Sequence, residues 1–299
     1  MNRHILYIIN PISGTSDKGK VKQVIEEATK AAAITYSIYP SVASGDYSFL
    51  KPVIHEEHVT DVVIAGGDGT LNAVVNELRN EPVQFGIIPL GSGNGLAFSA
   101  EIPKNVTSAL EIIFKGNSRL TDAFTINGRF ACMLCGLGFD AEVAHDFAHD
   151  PNRGLTTYIK KTISHFITAT THPFEIETEG EKFHTDAYFI SIANSNQFGN
   201  HFTIAPQASL TDGLLDIVIV TKQNKLSLLL QVLRQVTGYV DLQEVKVINK
   251  EAAVVYFQTE KVKVLNPGLA PLHIDGEPVE TGEEFSFTVL KHAFKLIYP

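Results

Sequence analysis

The chain has 299 residues, 44% hydrophobic and 19% charged, too apolar for a disordered polymer, too mixed for a fibre, and long enough for two domains. Its 24 basic and 33 acidic residues leave a formal net charge of −9. With no basic run longer than Lys160-Lys161, nucleic acid is excluded as a partner, because a duplex binder needs a basic face to displace counterions.

The first apolar run, residues 5–9, is shorter than a signal-peptide core and is stopped by Asn10-Pro11, so it reads as a strand. The apolar stretch at 226–233 falls far short of the ~18–20 residues that span a bilayer, and the expectation is a soluble, cytoplasmic chain without a transmembrane segment. Up to about residue 120, short β-branched runs at 5–9, 34–39, 62–65 and 85–88 alternate with helical patterns at 20–33, 46–57, 70–80, 97–100 and 106–115. Uniformly apolar strands such as Val62-Val63-Ile64-Ala65 are buried on both faces of a parallel sheet, with helices as crossovers. Such a sheet binds its ligand at the carboxyl ends of its strands. From about residue 121 the rhythm becomes strand and turn: 123–126, 130–134, 174–178, 183–193, 214–220, 253–258, 262–265, 272–274 and 285–289. Helical patterns at 154–170 and 225–240 interrupt it, the second with Leu226, Leu229, Leu230 and Leu233 on one face. The fold class expected is α/β plus all-β: a domain over 1–121, with 290–299 as candidates to return to it, and a second over 122–289.

The strand at 62–65 runs into Gly66-Gly67-Asp68-Gly69-Thr70-Leu71-Asn72. Glycines let backbone N–H groups approach a phosphate, the following helix adds partial positive charge, and an acidic residue holds magnesium or its waters. A second loop, Pro89-Leu90-Gly91-Ser92-Gly93-Asn94-Gly95, follows the next strand, and its Ser92 and Asn94 are candidate donors to a nucleotide. It is not the dinucleotide fingerprint, whose last glycine is replaced by Leu96. The loop after the first strand, Asn10-Pro11-Ile12-Ser13-Gly14, continues to Gly19-Lys20 and nearly spells a P-loop, but Val21 stands where magnesium needs a hydroxyl. Cys132 and Cys135 lie in an apolar run and read as buried reduced thiols rather than a redox or zinc pair. His145 and His149, with Asp146 and Asp150, read as a solvated helix end rather than a metal site, since no third ligand is evident.

Asn10 to Gly14, Gly66 to Asn72 and Pro89 to Asn94, in this order and spacing, resemble the diacylglycerol kinase and sphingosine kinase family, especially its soluble bacterial lipid kinases. Gly136-Leu137-Gly138-Phe139-Asp140 resembles the start of the family's second domain, Ala205 to Asp216 its metal-binding segment, and Asp275-Gly276-Glu277 its late catalytic turn. The resemblance implies a Rossmann-like nucleotide-binding domain, a C-terminal β-sandwich that binds lipid, and an active site in the cleft between them. It implies ATP contacts from Asn10, Ser13, Gly14, Ser41, Gly66, Gly67, Asp68, Gly69, Thr70, Leu71, Asn72, Gly91, Ser92, Gly93 and Asn94. Asp68 is then essential, Asp212 holds Mg2+ with main-chain oxygens of Ser209 and Leu214, and Asp275 or Glu277 is the base. Taken alone, Asp212-Gly213 and Asp275-Gly276 are ordinary turn signals. Gly95 departs from the aspartate usual in diacylglycerol kinases and reads closer to sphingosine and ceramide kinases, which leaves the acceptor lipid open.

The function expected is ATP-dependent phosphorylation of a hydroxyl on diacylglycerol or a related long-chain lipid at a membrane surface. Rival readings are an NAD kinase, which shares the Gly-Gly-Asp-Gly-Thr loop, and a catalytically silent lipid-binding protein. Whether the chain pairs as a homodimer is left open.

Overall fold

The computed structural model describes residues 3–14, 18–148, 168–197, 205–222 and 254–299. It divides into two compact units, one of residues 1–122 with 291–299 and one of residues 123–290.

The first unit is a parallel sheet in the order β2 (Thr35–Pro40), β1 (His4–Ile9), β3 (Asp61–Gly66), β4 (Gln84–Pro89). Every residue of β1 and β3 is buried, as the uninterrupted apolar runs demand of strands covered on both faces. The covering helices follow the 3.6-residue period. α3 (Asp68–Leu78) buries Leu71, Val74, Val75 and Leu78, and α5 (Val106–Lys115) buries Ala109, Leu110, Ile112 and Ile113. α5 begins where the Asn105 side chain accepts the Ser108 N–H at 3.0 Å and ends at Gly116 in the left-handed region. The helix expected over 46–57 is shorter, α2 (Leu50–Glu56). Asp46 accepts the Ser48 N–H at 2.9 Å and turns the preceding residues into a loop. α1 (Lys18–Ala31) and β2 complete the first crossover, and α4 (Gly95–Ser99) is a single turn. The end of β15 (Glu284–Ile297) lies in this unit, where Leu296 pairs parallel with Phe85 of β4.

The second unit is an antiparallel β-sandwich. Its long strand β9 (Glu181–Ala193) pairs with β8 (His172–Thr178) along residues 181–187 and with β7 (Leu134–Gly138) and β10 (Leu215–Thr221) farther on. β11 (Val254–Thr259) flanks β10, and β12 (Lys261–Leu265) lies between β8 and β15. Inward residues alternate along each strand into one core that includes Phe124, Phe174, Ile190, Ile217, Phe257 and Phe287. The single strand expected over 130–134 is two: β6 (Arg129–Ala131), paired with β5 (Ser118–Ile126), and β7. The chain bends at Cys132-Met133 because the amides there turn to a side chain, described below. α6 (Phe139–Ala148) follows β7. The helices expected at 154–170 and 225–240 lie outside the described residues but for 168–170. Among the described residues no helix is long and apolar enough to cross a membrane.

At the amino edge of the parallel sheet, Asp61 is fully buried and Arg3 grips it twice, Nε to Oδ2 at 2.9 Å and Nη2 to Oδ1 at 2.6 Å. The same guanidinium donates to the Phe114 carbonyl at 2.7 Å, and Gln84 Nε2 donates to Asp61 at 2.8 Å. One ion pair thus ties β1, β3 and β4 to the carboxyl end of α5. Arg3→Met strands the buried carboxylate and is expected to cost about 2–4 kcal/mol of first-unit stability, read by scanning calorimetry.

Candidate active site

The registers of β1, β3 and β4 bring Ile9 level with Ala65 and Ala65 level with Ile88, so the three glycine-bearing loops leave the sheet at one edge. There they brace one another. Asn10 donates its backbone N–H to the Ala65 carbonyl at 2.9 Å and its side-chain Nδ2 to Thr70 Oγ1 at 2.8 Å, and its Oδ1 accepts the Ile12 N–H at 2.9 Å. Leu90 N–H donates to the Gly66 carbonyl at 2.9 Å. A Cβ on Gly91 would lie 2.6 Å from Gly67 Cα, so backbone meets backbone and no side chain fits between. Gly14 is equally tight, with a notional Cβ 2.0 Å from the Leu90 carbonyl oxygen. Ser41 follows β2 at this same edge, its N–H donating to the Ile9 carbonyl at 3.0 Å.

Asp68 opens α3, and its carboxylate accepts the Gly95 N–H at 3.1 Å across to the next loop. Burial pushes this carboxyl above the usual range, and the amides of Gly95, Asn94 and Leu96 pull it back. Gly67 at the N-cap offers α3 no side-chain oxygen, so no capping side chain takes up the amides at the positive end of the helix. Asn94 sits in the left-handed region with both side-chain atoms turned to Gly91: Oδ1 accepts its N–H at 2.8 Å and Nδ2 donates to its carbonyl at 2.7 Å. It braces the loop, while Ser92 and Gly93 are partly exposed. Val21, at the place of a P-loop hydroxyl, is buried within α1.

In the second unit, Asp275 and Gly276 form a two-residue hairpin between β13 (Leu272–Ile274) and β14 (Glu277–Val279), both with positive φ, 51° and 81°, the type I′ pattern favoured by Asp-Gly. The turn reading and the site reading of this motif are therefore both physical. The buried Asp275 carboxylate accepts the N–H groups of Cys132, Met133 and Leu134 at 3.4, 3.1 and 3.0 Å, which is what breaks the strand at 130–134. Glu277, two residues on, is exposed. His273 and Asp140, which residue spacing alone did not single out as a pair, meet here with Nε2 3.4 Å from Oδ2. A lone histidine in an apolar strand carries no sequence signal. Cys132 and Cys135 are both fully buried, and burial with the Asp140 and Asp275 charges holds the Cys135 thiol well above its ordinary value, against redox chemistry.

Asp212 lies on an exposed turn, its Oδ1 accepting the Leu214 N–H at 3.1 Å, with Ser209 Oγ accepting the Thr211 N–H at 3.3 Å. Among the described residues no group of three His, Cys, Asp or Glu side chains forms a metal cluster. One carboxylate with main-chain oxygens of Ser209 and Leu214 on a solvent-facing turn is nonetheless a hard-oxygen set, which fits magnesium that keeps several waters. Behind it Asp216 is buried, taking the Tyr256 hydroxyl proton donor and Gln258 Nε2 at 3.3 Å. The helix bearing His145 and Asp146 ends at Ala148, and His149 and Asp150 lie outside the described residues.

The chain matches the family model described as the diacylglycerol kinase catalytic domain over residues 4–126 and that of the YegS C-terminal NAD kinase beta sandwich-like domain over residues 134–297. It is 26% identical over 282 residues to a diacylglycerol kinase of Staphylococcus carnosus, covering 93% of this chain and 89% of that one. With a diacylglycerol kinase of Bacillus subtilis it shares 27% over 277 residues, 90% and 88% covered. The crystal structure of a diacylglycerol kinase from Bacillus anthracis superposes with a TM-score of 0.75 at 18% identity, covering 100% of this chain and 97% of that one, a likeness of fold.

Gly91→Ala drives a methyl group into Gly67 and is expected to cost the first unit about 1–3 kcal/mol by calorimetry. Gly282→Ala, whose notional Cβ meets only ordinary contacts at 3.7 Å, leaves stability unchanged. Burial pushes the Asp216 carboxyl from 3.8 up to about 6. The unfolded chain sheds that proton first, so this group's stabilisation is full below 3.8 and is lost as pH rises to about 6. Asp216→Asn is expected to flatten that part of the unfolding-temperature profile.

Proposed function

The chain belongs to the diacylglycerol kinase catalytic-domain family with a YegS-type C-terminal sandwich and is a lipid kinase; we propose that it transfers the γ-phosphate of ATP to a hydroxyl of diacylglycerol or a related long-chain lipid. The observation that carries this reading is the meeting of three glycine loops at one sheet edge, locked by Asp68 to the Gly95 amide. Backbone N–H groups of residues 66–70 and of Ser92 and Gly93, with the side chains of Ser13, Ser41 and Ser92, hold the triphosphate, while the Gly91 N–H stays with Asn94, and the amino end of α3 favours its charge. Asp68 keeps loops 66–72 and 89–95 at one spacing.

The role of base falls to Glu277. The buried Asp275 carboxylate is committed to three backbone amides, which take up most of its acceptor sites, while Glu277 is exposed and able to face an acceptor alcohol. As the alcohol oxygen bonds to the γ-phosphorus, its proton passes to Glu277 and the bond to the β-phosphate oxygen breaks, leaving ADP. A carboxylate is a weak base for an alcohol, so most of the acceleration comes from alignment and charge stabilisation. Magnesium held by Asp212 and main-chain oxygens of Ser209 and Leu214 would supply charge neutralisation on the phosphates.

The C-terminal unit matches an NAD kinase beta sandwich-like domain, so NAD is included as a competing acceptor. Transfer from γ-labelled ATP with magnesium is measured into mixed micelles of diacylglycerol, monoacylglycerol, sphingosine, ceramide and phosphatidylglycerol, and into NAD. Label is expected in a lipid. Label in NAD alone moves the reaction to the other acceptor, and no label anywhere supports a silent lipid binder. Glu277→Gln is expected to lower kcat by about 10²–10⁴, and Asp68→Ala to abolish turnover in a protein that keeps its circular dichroism.

A further inference from the structure

The pair formed by His273 and Asp140 has no part in the chemistry described so far, yet it is built into the sandwich with some care. His273 is the central residue of β13 and fully buried. It pairs across the strands with Gly136 of β7. A Cβ on Gly136 would fall 1.8 Å from Asp140 Oδ2 and 2.6 Å from His273 Nε2, so this position is empty of side chain where the two groups meet. Asp140 stands at the start of α6 with its Oδ1 accepting the Ala141 N–H at 2.9 Å, and α6 packs on β13 and β14.

The other ring nitrogen reaches the catalytic turn. His273 Nδ1 lies 3.3 Å from the Gly276 backbone nitrogen. A backbone N–H only donates, so Nδ1 is the unprotonated nitrogen and Nε2 carries the ring proton toward Asp140. The imidazole is a neutral link between a helix-anchored carboxylate and the amide in the middle of Asp275-Gly276-Glu277.

That turn needs such support. β13 and β14 have three residues each, too few ladder bonds to hold a hairpin alone, and Asp275 is a non-glycine residue at φ 51°. Asp275 is held from one side by the amides of Cys132 to Leu134. The Gly276 amide is held by His273, and Glu277 follows directly.

We propose that His273, aligned by Asp140, is a positioning residue for phosphoryl transfer: it fixes the Gly276 amide and so sets the direction in which Glu277 leaves the hairpin. The proposal rests on the reading of Glu277 as base. Its chemistry asks only for an acceptor at Nδ1 and a donor at Nε2, so the charge of Asp140 is dispensable and its acceptor oxygen is not.

The test uses the full chain and two readouts, hydrogen exchange at the Gly276 amide by NMR and steady-state lipid phosphorylation. His273→Phe, which keeps the bulk and removes both nitrogens, is expected to speed Gly276 exchange about tenfold and to lower kcat about tenfold or more at unchanged KM for ATP. His273→Asn, whose Oδ1 can take the place of Nδ1, and Asp140→Asn, which keeps the acceptor, are expected to restore both to within about threefold of the parent. If His273→Phe does not fold, Asp140→Leu removes the ring's anchor and is read the same way. Unchanged exchange and kcat in His273→Phe, or Asn variants as impaired as His273→Phe, overturn the proposal. Glu277→Gln separates the two readings. Full turnover by that variant sinks the base assignment, and fast Gly276 exchange in His273→Phe still upholds the structural brace. Slow exchange there sinks the brace whatever Glu277→Gln does.

Discussion

Parallel pairing sets Ile9, Ala65 and Ile88 at one level, and the chemistry of the first unit depends on that alignment. Because the three strands end together, their loops touch, and because they touch backbone to backbone, the residues at the contacts are Gly14, Gly67 and Gly91. The glycines that suit a phosphate are thus the same ones that permit the loops to converge. Their value lies in both, and under the proposed function the phosphate cradle is already assembled rather than ordered at the cost of entropy.

Carboxylates divide the labour in a way that burial explains. Asp61, Asp68, Asp140 and Asp275 each spend their oxygens on a guanidinium, an imidazole or backbone amides. A desolvated carboxylate left without such partners would be costly, so these groups are struts. Asp212 and Glu277 are exposed, the setting that the proposed metal and proton roles require. The same sorting separates Asp275 from Glu277 although the two stand in one short motif.

Much of this was legible in the residues. Unbroken apolar runs in the first 90 residues and strand-and-turn rhythm after residue 121 foretold a parallel α/β unit followed by a β-rich one. The periods of α3 and α5 left little freedom in their buried faces. Asp212 and Asp275 taken alone read as turns and became candidates only through the family resemblance, whereas the glycine loops were legible as site candidates from type and spacing. The break of the strand expected over 130–134 was not, because its cause is a carboxylate some 140 residues away that takes the local amides. Asn94 looked like a free donor and is a brace to Gly91, since a left-handed backbone folds its amide back onto its own loop.

Local composition therefore determined which segments are strands and helices and which loops can approach an anion, and the resemblance of its motifs added the kinase family. These properties depend on side-chain periodicity and backbone freedom, which act over a few residues. Tertiary structure alone decided which carboxylates are buried against partners and which lie at the surface, and that His273 joins Asp140 to the amide of Gly276. Those outcomes depend on burial and on hydrogen-bond partners brought from distant strands, and no short-range pattern encodes them.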